Sequence, residues 1–246
     1  MSRRHLMAVV EYDGTSYHGS QVQANAPTIQ EKLERALATV TQEHIHIRFA
    51  GRTDAGVHAA GQVIDFWTTW QRSLEELHRA LNAVLPSDIA IRELSLTAED
   101  FHSRYSAHSR VYRYSIWNRP VRSPLHRRTH LHVPRRLDIE QMTRAGQVLV
   151  GEHDFRTFGA PMQPGGSTVR VVTRVDVWRD SDEVFVEIEA NAFLRRMARR
   201  IVAALIDVGH GRLTLEELAE ALEAADPARI QGMAPAHGLC LVKVHY

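Results

Sequence analysis

Thr28-Ile29-Gln30-Glu31-Lys32-Leu33-Glu34-Arg35-Ala36-Leu37 is the stretch that decides the fold. Thr28 and Glu31 have the spacing of a capping box, and Ile29, Leu33 and Leu37 fall on one helical face. A strand precedes this helix, Leu6 to Tyr12, ended by Asp13-Gly14. After it, Ile45 to Ala50 alternates as a strand, a loop runs from Gly51 to Ala60, and Gln62 to Thr68 reads as another strand. Ser73 with Glu76 forms a second capping box, and its helix carries Leu74, Leu77, Leu81 and Leu85 before stopping near Pro86. Ile89 to Leu94 closes the series as a strand. The order β-α-β-β-α-β is that of a split βαβ, or ferredoxin-like, unit.

The remainder repeats that order without a clear sequence repeat. Arg110 to Trp117 is a strand, and Asp138 with Gln141 opens a helix running to Val150. Val171 to Trp178 and Val184 to Ala190 make a hairpin pair. Phe193 to Val208 is a helix ended by Gly209-His210-Gly211, Thr214 with Glu217 caps an acidic helix, and Leu239 to His245 is a last strand. The expected architecture is α+β. Two ferredoxin-like halves, residues 1–107 and 108–246, set their antiparallel sheets side by side with an active-site cleft between them.

The chain has 246 residues, of which 44% are hydrophobic and 24% charged, the composition of an ordinary globular protein. It lacks the apolar run of a membrane span and the pattern of a signal peptide, so no membrane is expected. Its one cysteine, Cys240, rules out an internal disulfide and Cys-based zinc sites and fits a cytoplasmic location. The net charge of +1 hides a strong polarity: from Ser103 to Leu137 there is no acid. That block holds Arg104, Arg110, Arg113, Arg119, Arg122, Arg127, Arg128, Arg135 and Arg136, interleaved with Tyr105, Tyr112, Tyr114 and Trp117. Arg195, Arg196, Arg199 and Arg200 form a second basic knot. Basic residues among aromatics suit phosphate contact and base stacking.

The loop Gly51-Arg52-Thr53-Asp54-Ala55-Gly56-Val57-His58-Ala59 is longer than a hairpin needs and sets an aspartate between two glycines. By spacing alone, Asp54 reads as a turn carboxylate or as a catalytic one. Tyr112 and Tyr114 alternate with Arg113 on a strand, a pattern that core residues also give. Arg199 lies off the apolar face that Met197, Ile201, Ala204 and Val208 define on its helix, which alone suggests a solvated side chain. The fifteen histidines contain close pairs, His44 with His46 and His130 with His132, but no recognised zinc pattern, so no metal is expected.

The motif Gly51 to His58 resembles the active-site motif of the tRNA pseudouridine synthase A family. Further blocks match in order: Glu11-Tyr12-Asp13-Gly14 with Tyr17, Gly19, Gln21 and Gln23, Phe101 to Ala107, Tyr112-Arg113-Tyr114, Gly151 to Phe155, Asn191 to Leu194 and Ala236 to Leu239. One departure is Ser20, where the family usually carries tryptophan. The resemblance implies isomerisation of uridine to pseudouridine in the tRNA anticodon stem-loop, at positions 38, 39 and 40, by a cofactor-free, metal-free homodimer that holds tRNA across both subunits. It implies Asp54 as nucleophile, Tyr112 as the aromatic that stacks on the uracil or acts as a base near it, and Arg199 as the cation paired with Asp54. Arg52, Arg110 and Arg113 would bind substrate. The residue types suit this chemistry, because a carboxylate can add covalently, at the sugar C1′ or at the uracil ring, and later depart. A silent RNA-binding module and a metal-dependent hydrolase are the competing classes.

Overall fold

The computed structural model describes residues 3–246, which form two compact units: one runs to His108 and also takes Leu241–Tyr246, the other is Ser109–Cys240. The first unit contains β1 (Arg4–Tyr12), α1 (Ile29–Thr41), β2 (Arg48–Phe49), β3 (His58–Thr68), α2 (Leu74–Val84) and β4 (Ile89–Leu96). Strand β1 lies between β4 and β3, antiparallel to both, and β2 pairs with β3. Inserting the third strand beside the first is what makes the βαβ split. Leu6, Ala8, Val10 and Tyr12 are all buried, with Ile64 and Phe66 of β3 and with Leu33, Leu37, Leu77 and Leu81 of the helices. Each such aliphatic side chain contributes about 1.5–3 kcal/mol by leaving water. The Thr28 hydroxyl accepts from Glu31 N, and Ser73 with Glu76 completes a reciprocal capping box.

Two local departures have clear causes. Of the strand expected at Ile45 to Ala50, only Arg48–Phe49 forms β2, with Ala50 N still donating to Val63 O at 2.8 Å, because Ile47 N donates instead to Glu34 Oε1 at 3.2 Å. Buried in the same unit is Asp65 of β3. Its carboxylate accepts from Arg48 Nε at 2.7 Å and Ser103 N at 2.8 Å, and it lies 2.9 Å from His5 Nε2. Burial pushes this carboxyl upward, but the hydrogen bonds from Arg48, His5 and Ser103 outweigh it and hold the pKa below the ordinary value.

The second unit contains β5 (Ser109–Trp117), β6 (Leu131–His132), α3 (Ile139–Val148), β7 (Gly151–Asp154), β8 (Val169–Asp180), β9 (Glu183–Ala190), α4 (Met197–Gly209) and α5 (Leu215–Ala224). Its strand order is β5-β9-β8-β7, antiparallel throughout, with β6 parallel to β5. The α+β class with split βαβ order thus holds in the structure. The helix expected from Phe193 starts only at Met197. Arg195 N donates to Ala160 O at 2.9 Å, and Arg196 takes a left-handed φ of 70°, so the segment before the helix is tied down in another conformation. The last strand, β10 (Leu239–His245), lies beside β3, and Tyr246 OH donates to Ser103 O at 2.7 Å. Those contacts place Leu241–Tyr246 with the first unit, not with the second half in which the sequence order counts them.

Candidate active site

The Asp54 loop is built from outside itself. Thr53 is buried and held on two sides: its N–H donates to Ser20 Oγ at 2.9 Å, and its Oγ1 hydrogen-bonds Tyr12 OH at 2.8 Å. Its carbonyl accepts from Ser20 N at 3.1 Å. Gln62, fully buried on β3, closes a ring with Gly51, donating to its carbonyl at 2.8 Å and accepting from its N–H at 3.4 Å. Val57 N donates to Asp54 O at 3.1 Å, closing a turn over Asp54-Ala55-Gly56-Val57. Gly56 has φ of 77°, the left-handed value that the third position of a type II turn requires. Alternation along this segment turns Arg52 to solvent, Thr53 inward, and leaves Asp54 half-buried at the head of the turn.

The loop's floor is equally fixed. Gly56 N donates to Tyr17 O at 3.3 Å, and Gly14 N donates to His58 Nδ1 at 3.1 Å. A Cβ on Gly14 would stand 2.0 Å from Val57 O, so only glycine lets these chains meet. Tyr17 OH donates to Asp88 Oδ1 at 2.7 Å. Burial first, then the Asp88 carboxylate, raises that phenol's pKa, so it stays a donor. The carboxylate of Asp54 therefore sits on a backbone set by groups from β1, β3 and the segment before α1.

In the second unit, Arg110, Tyr112 and Tyr114 lie on one face of β5 and Arg113 on the other. Tyr112 is buried, its ring edge-on to Phe193 at 4.8 Å. Arg110 Nη1 donates to Asn191 O at 2.8 Å, so two β5 side chains brace the Asn191-to-Phe193 segment. Arg113 gives Nε and Nη2 to Glu187 Oε2 at 2.9 and 2.8 Å and lies over Trp178. That pairing gives it a structural task on the face away from Tyr112.

Arg199 is half-buried: its Nε donates to Ala234 O at 2.8 Å, and Ala234 N donates to Arg199 O at 3.1 Å. Next along the chain, Pro235 O accepts from Tyr114 OH at 2.8 Å, and Gly238 admits the Tyr114 ring, whose Cζ would be 2.5 Å from a Cβ there. Burial raises the Tyr114 phenol pKa, while the Arg199 charge opposes it.

A family model described as tRNA pseudouridine synthase matches residues 8–106 and 145–246, a range that takes in the Asp54 loop and Arg199. Tested against curated proteins, the chain is 42% identical to "tRNA pseudouridine synthase A" of Thermoanaerobacter sp. (strain X514), covering 99% of this chain and 100% of the relative. It is 45% identical to the protein of that name in Roseiflexus castenholzii, over 99% and 91% of the two chains. For Histophilus somni the figures are 44%, 96% and 88%. The chain belongs to the tRNA pseudouridine synthase family.

Among solved structures, an archaeal box H/ACA sRNP Nop10-Cbf5 complex aligns with a TM-score of 0.37 and 9% identity over 94% of this chain and 58% of that one, too distant to bear on the fold. For this member of the tRNA pseudouridine synthase family, reading the sequence missed the parts that hold the loop. Tyr12, Ser20 and Gln62 carry no chemical signature. The family resemblance touched Tyr12 and Ser20 but gave neither a task, and only the rule that buried polar groups must find partners links them to the loop. Of the basic block, Arg104, Arg119, Arg122, Arg127, Arg128, Arg135 and Arg136 are exposed, while Arg110 is buried and Arg113 half-buried.

Proposed function

We propose that this chain isomerises uridine to pseudouridine in the anticodon stem-loop of tRNA, at positions 38, 39 and 40, as a cytoplasmic homodimer that uses no cofactor. Asp54 is the nucleophile, Arg199 the cation that keeps it ionised and oriented, and Tyr112 the aromatic that receives the uracil. Arg52, exposed beside the nucleophile, and Arg110, which braces the segment against Tyr112, serve the substrate side. Arg113, on the other face of β5 and paired with Glu187, keeps an exposed side chain that can also meet a phosphate.

The reaction breaks the N1–C1′ bond, turns the base and joins C5 to C1′. The proton on C5 leaves and N1 regains one, so no electrons enter or depart. A base within a stem must first be flipped out, at a cost of a few kcal/mol, into a site with an aromatic wall. Tyr112 offers such a wall, fixed by Phe193, and its hydroxyl is a candidate to remove the C5 proton. The observation that carries the reading is the clasp on Thr53: a nucleophile must be held within a fraction of an ångström, and the residue before Asp54 is pinned through its N–H, carbonyl and hydroxyl.

The test is tritium release from tRNA labelled at uridine C5. Asp54→Asn and Asp54→Ala are expected to bind tRNA and release no tritium above background. Turnover by the purified Asp54→Ala protein overturns the assignment. A wild-type chain that binds tRNA without turnover makes it an RNA-binding module instead. Light scattering checks the dimer.

A further inference from the structure

We infer that His126, His130 and Glu183 of the second unit bind a divalent transition cation of the zinc class. His126 to His130 is a single helical turn, with His130 N donating to His126 O at 2.9 Å and Thr129 N to the same oxygen at 3.1 Å. Residues four apart on such a turn share a side, so both imidazoles reach Glu183 at the start of β9. His126 Nδ1 lies 3.6 Å and His130 Nε2 2.7 Å from Glu183 Oε1. One ligand atom from each residue lies within 4.8 Å of the others. A tetrahedral zinc site with ligands at about 2.0–2.1 Å separates them by about 3.3 Å, so small rotations bring this set onto a common ion.

The surroundings are those of a ligand set. His130 Nε2 is buried and lies 2.7 Å from the Glu183 carboxylate, an acceptor that a cation could share with the ring. The other ring nitrogen, Nδ1, has Thr129 Oγ1 at 2.9 Å, the outer partner that orients a metal-bound imidazole. Trp117 stacks on His126 at 4.6 Å, 12° from parallel, and fixes that ring. Two imidazoles and one carboxylate suit zinc, cobalt or nickel more than magnesium or calcium, which prefer oxygen alone. The spacing that matters is His126 to His130; the sequence reading paired His130 with His132, whose Nε2 instead faces Arg119 O at 2.8 Å. The ion would tie the turn that follows β5 to the first residue of β9.

Tag-free protein stripped with a chelator is titrated with Zn²⁺ by calorimetry and with Co²⁺ by visible absorption. One ion per chain and the intense bands of tetrahedral cobalt are expected. His126→Asn and Glu183→Gln should each weaken binding by about tenfold or more, and His44→Asn, in the other unit, should leave it unchanged. In the unmutated protein, Zn²⁺ should shield His126 and His130 from diethyl pyrocarbonate, read by peptide mass, which keeps the test free of folding defects. No binding, binding undiminished in both variants, or shielding confined to other histidines overturns the site.

Discussion

Ser20 and Thr53 hold each other through two hydrogen bonds, Thr53 N to Ser20 Oγ at 2.9 Å and Ser20 N to Thr53 O at 3.1 Å. The residue before Asp54 is thus clamped to the segment before α1. Ser20→Ala leaves the Thr53 N–H buried without its acceptor, a loss of about 1–3 kcal/mol. The expected result is a lower melting temperature and a fall in kcat with tRNA affinity nearly unchanged, since the change loosens the loop without touching a surface. An unaltered kcat at a temperature where the variant is folded counts against the clamp.

Glycines 14 and 56 separate strain from collision. Gly56→Ala forces a side chain to φ of 77°, at a cost of about 1–2 kcal/mol, in a turn that faces solvent. Gly14→Ala drives a Cβ to 2.0 Å from Val57 O, and the backbone of the loop must move. Gly56→Ala should stay folded with reduced turnover, while Gly14→Ala should lose both more stability and more activity. Denaturant midpoints and tritium release on the same preparations decide the order.

Asp65 is a stability residue with a defined pH signature. Its folded pKa lies below the unfolded value of about 3.9, so its contribution is fully present above that value and is lost as pH falls through the folded value. Asp65→Asn removes the buried charge that the half-exposed Arg48 and the buried His5 face, at a cost of about 1–3 kcal/mol at neutral pH. Stability measured by urea unfolding should drop steeply below about pH 4 in the unmutated protein, and this acid dependence should be shallower in the variant.

What sequence could and could not reveal follows from range. Thr28 with Glu31 and Ser73 with Glu76 are contacts across three residues, and the helices they open were legible from the letters alone. The alternation that places Tyr112 with Tyr114 and against Arg113 was likewise local. Helix α4 was read as starting four residues too early because its start depends on Arg195 pairing with Ala160, a contact across 35 positions. Arg199 looked solvated for the same reason, since Ala234 O, its acceptor, is 35 residues away. In the loop, the motif marked Asp54, but the groups that fix it come from β1, β3 and the segment before α1, and spacing carries no trace of them.

Tyr114 and Gly238 test the seat under Arg199. Tyr114→Phe removes the bond to Pro235 O and leaves that carbonyl without its donor, an expected loss of about 1–2 kcal/mol. Gly238→Ala puts a Cβ 2.5 Å from the ring and should cost more. Because Ala234, next to Pro235, receives Arg199 Nε, both variants should also lower kcat. Equal activity in the folded Tyr114→Phe protein separates the seat from the cation.

Charge sets the last expectation. Net +1 averages an acid-free arginine block and a second knot in which Arg195 and Arg196 are exposed just before α4. Exposed guanidinium groups release counterions when they meet phosphates, so log affinity falls linearly with log salt, with a slope set by the number of contacts. Wild-type affinity for tRNA should drop steeply between about 50 and 200 mM salt. The double variant Arg195→Ala, Arg196→Ala should bind more weakly at low salt and lose about 2 from the magnitude of the slope, about 1 per phosphate contact. Its turnover at saturating tRNA should be retained, because neither side chain belongs to the proposed chemistry. Filter binding across a salt series gives the slope directly; a slope unchanged in the double variant places these two arginines outside the RNA contact.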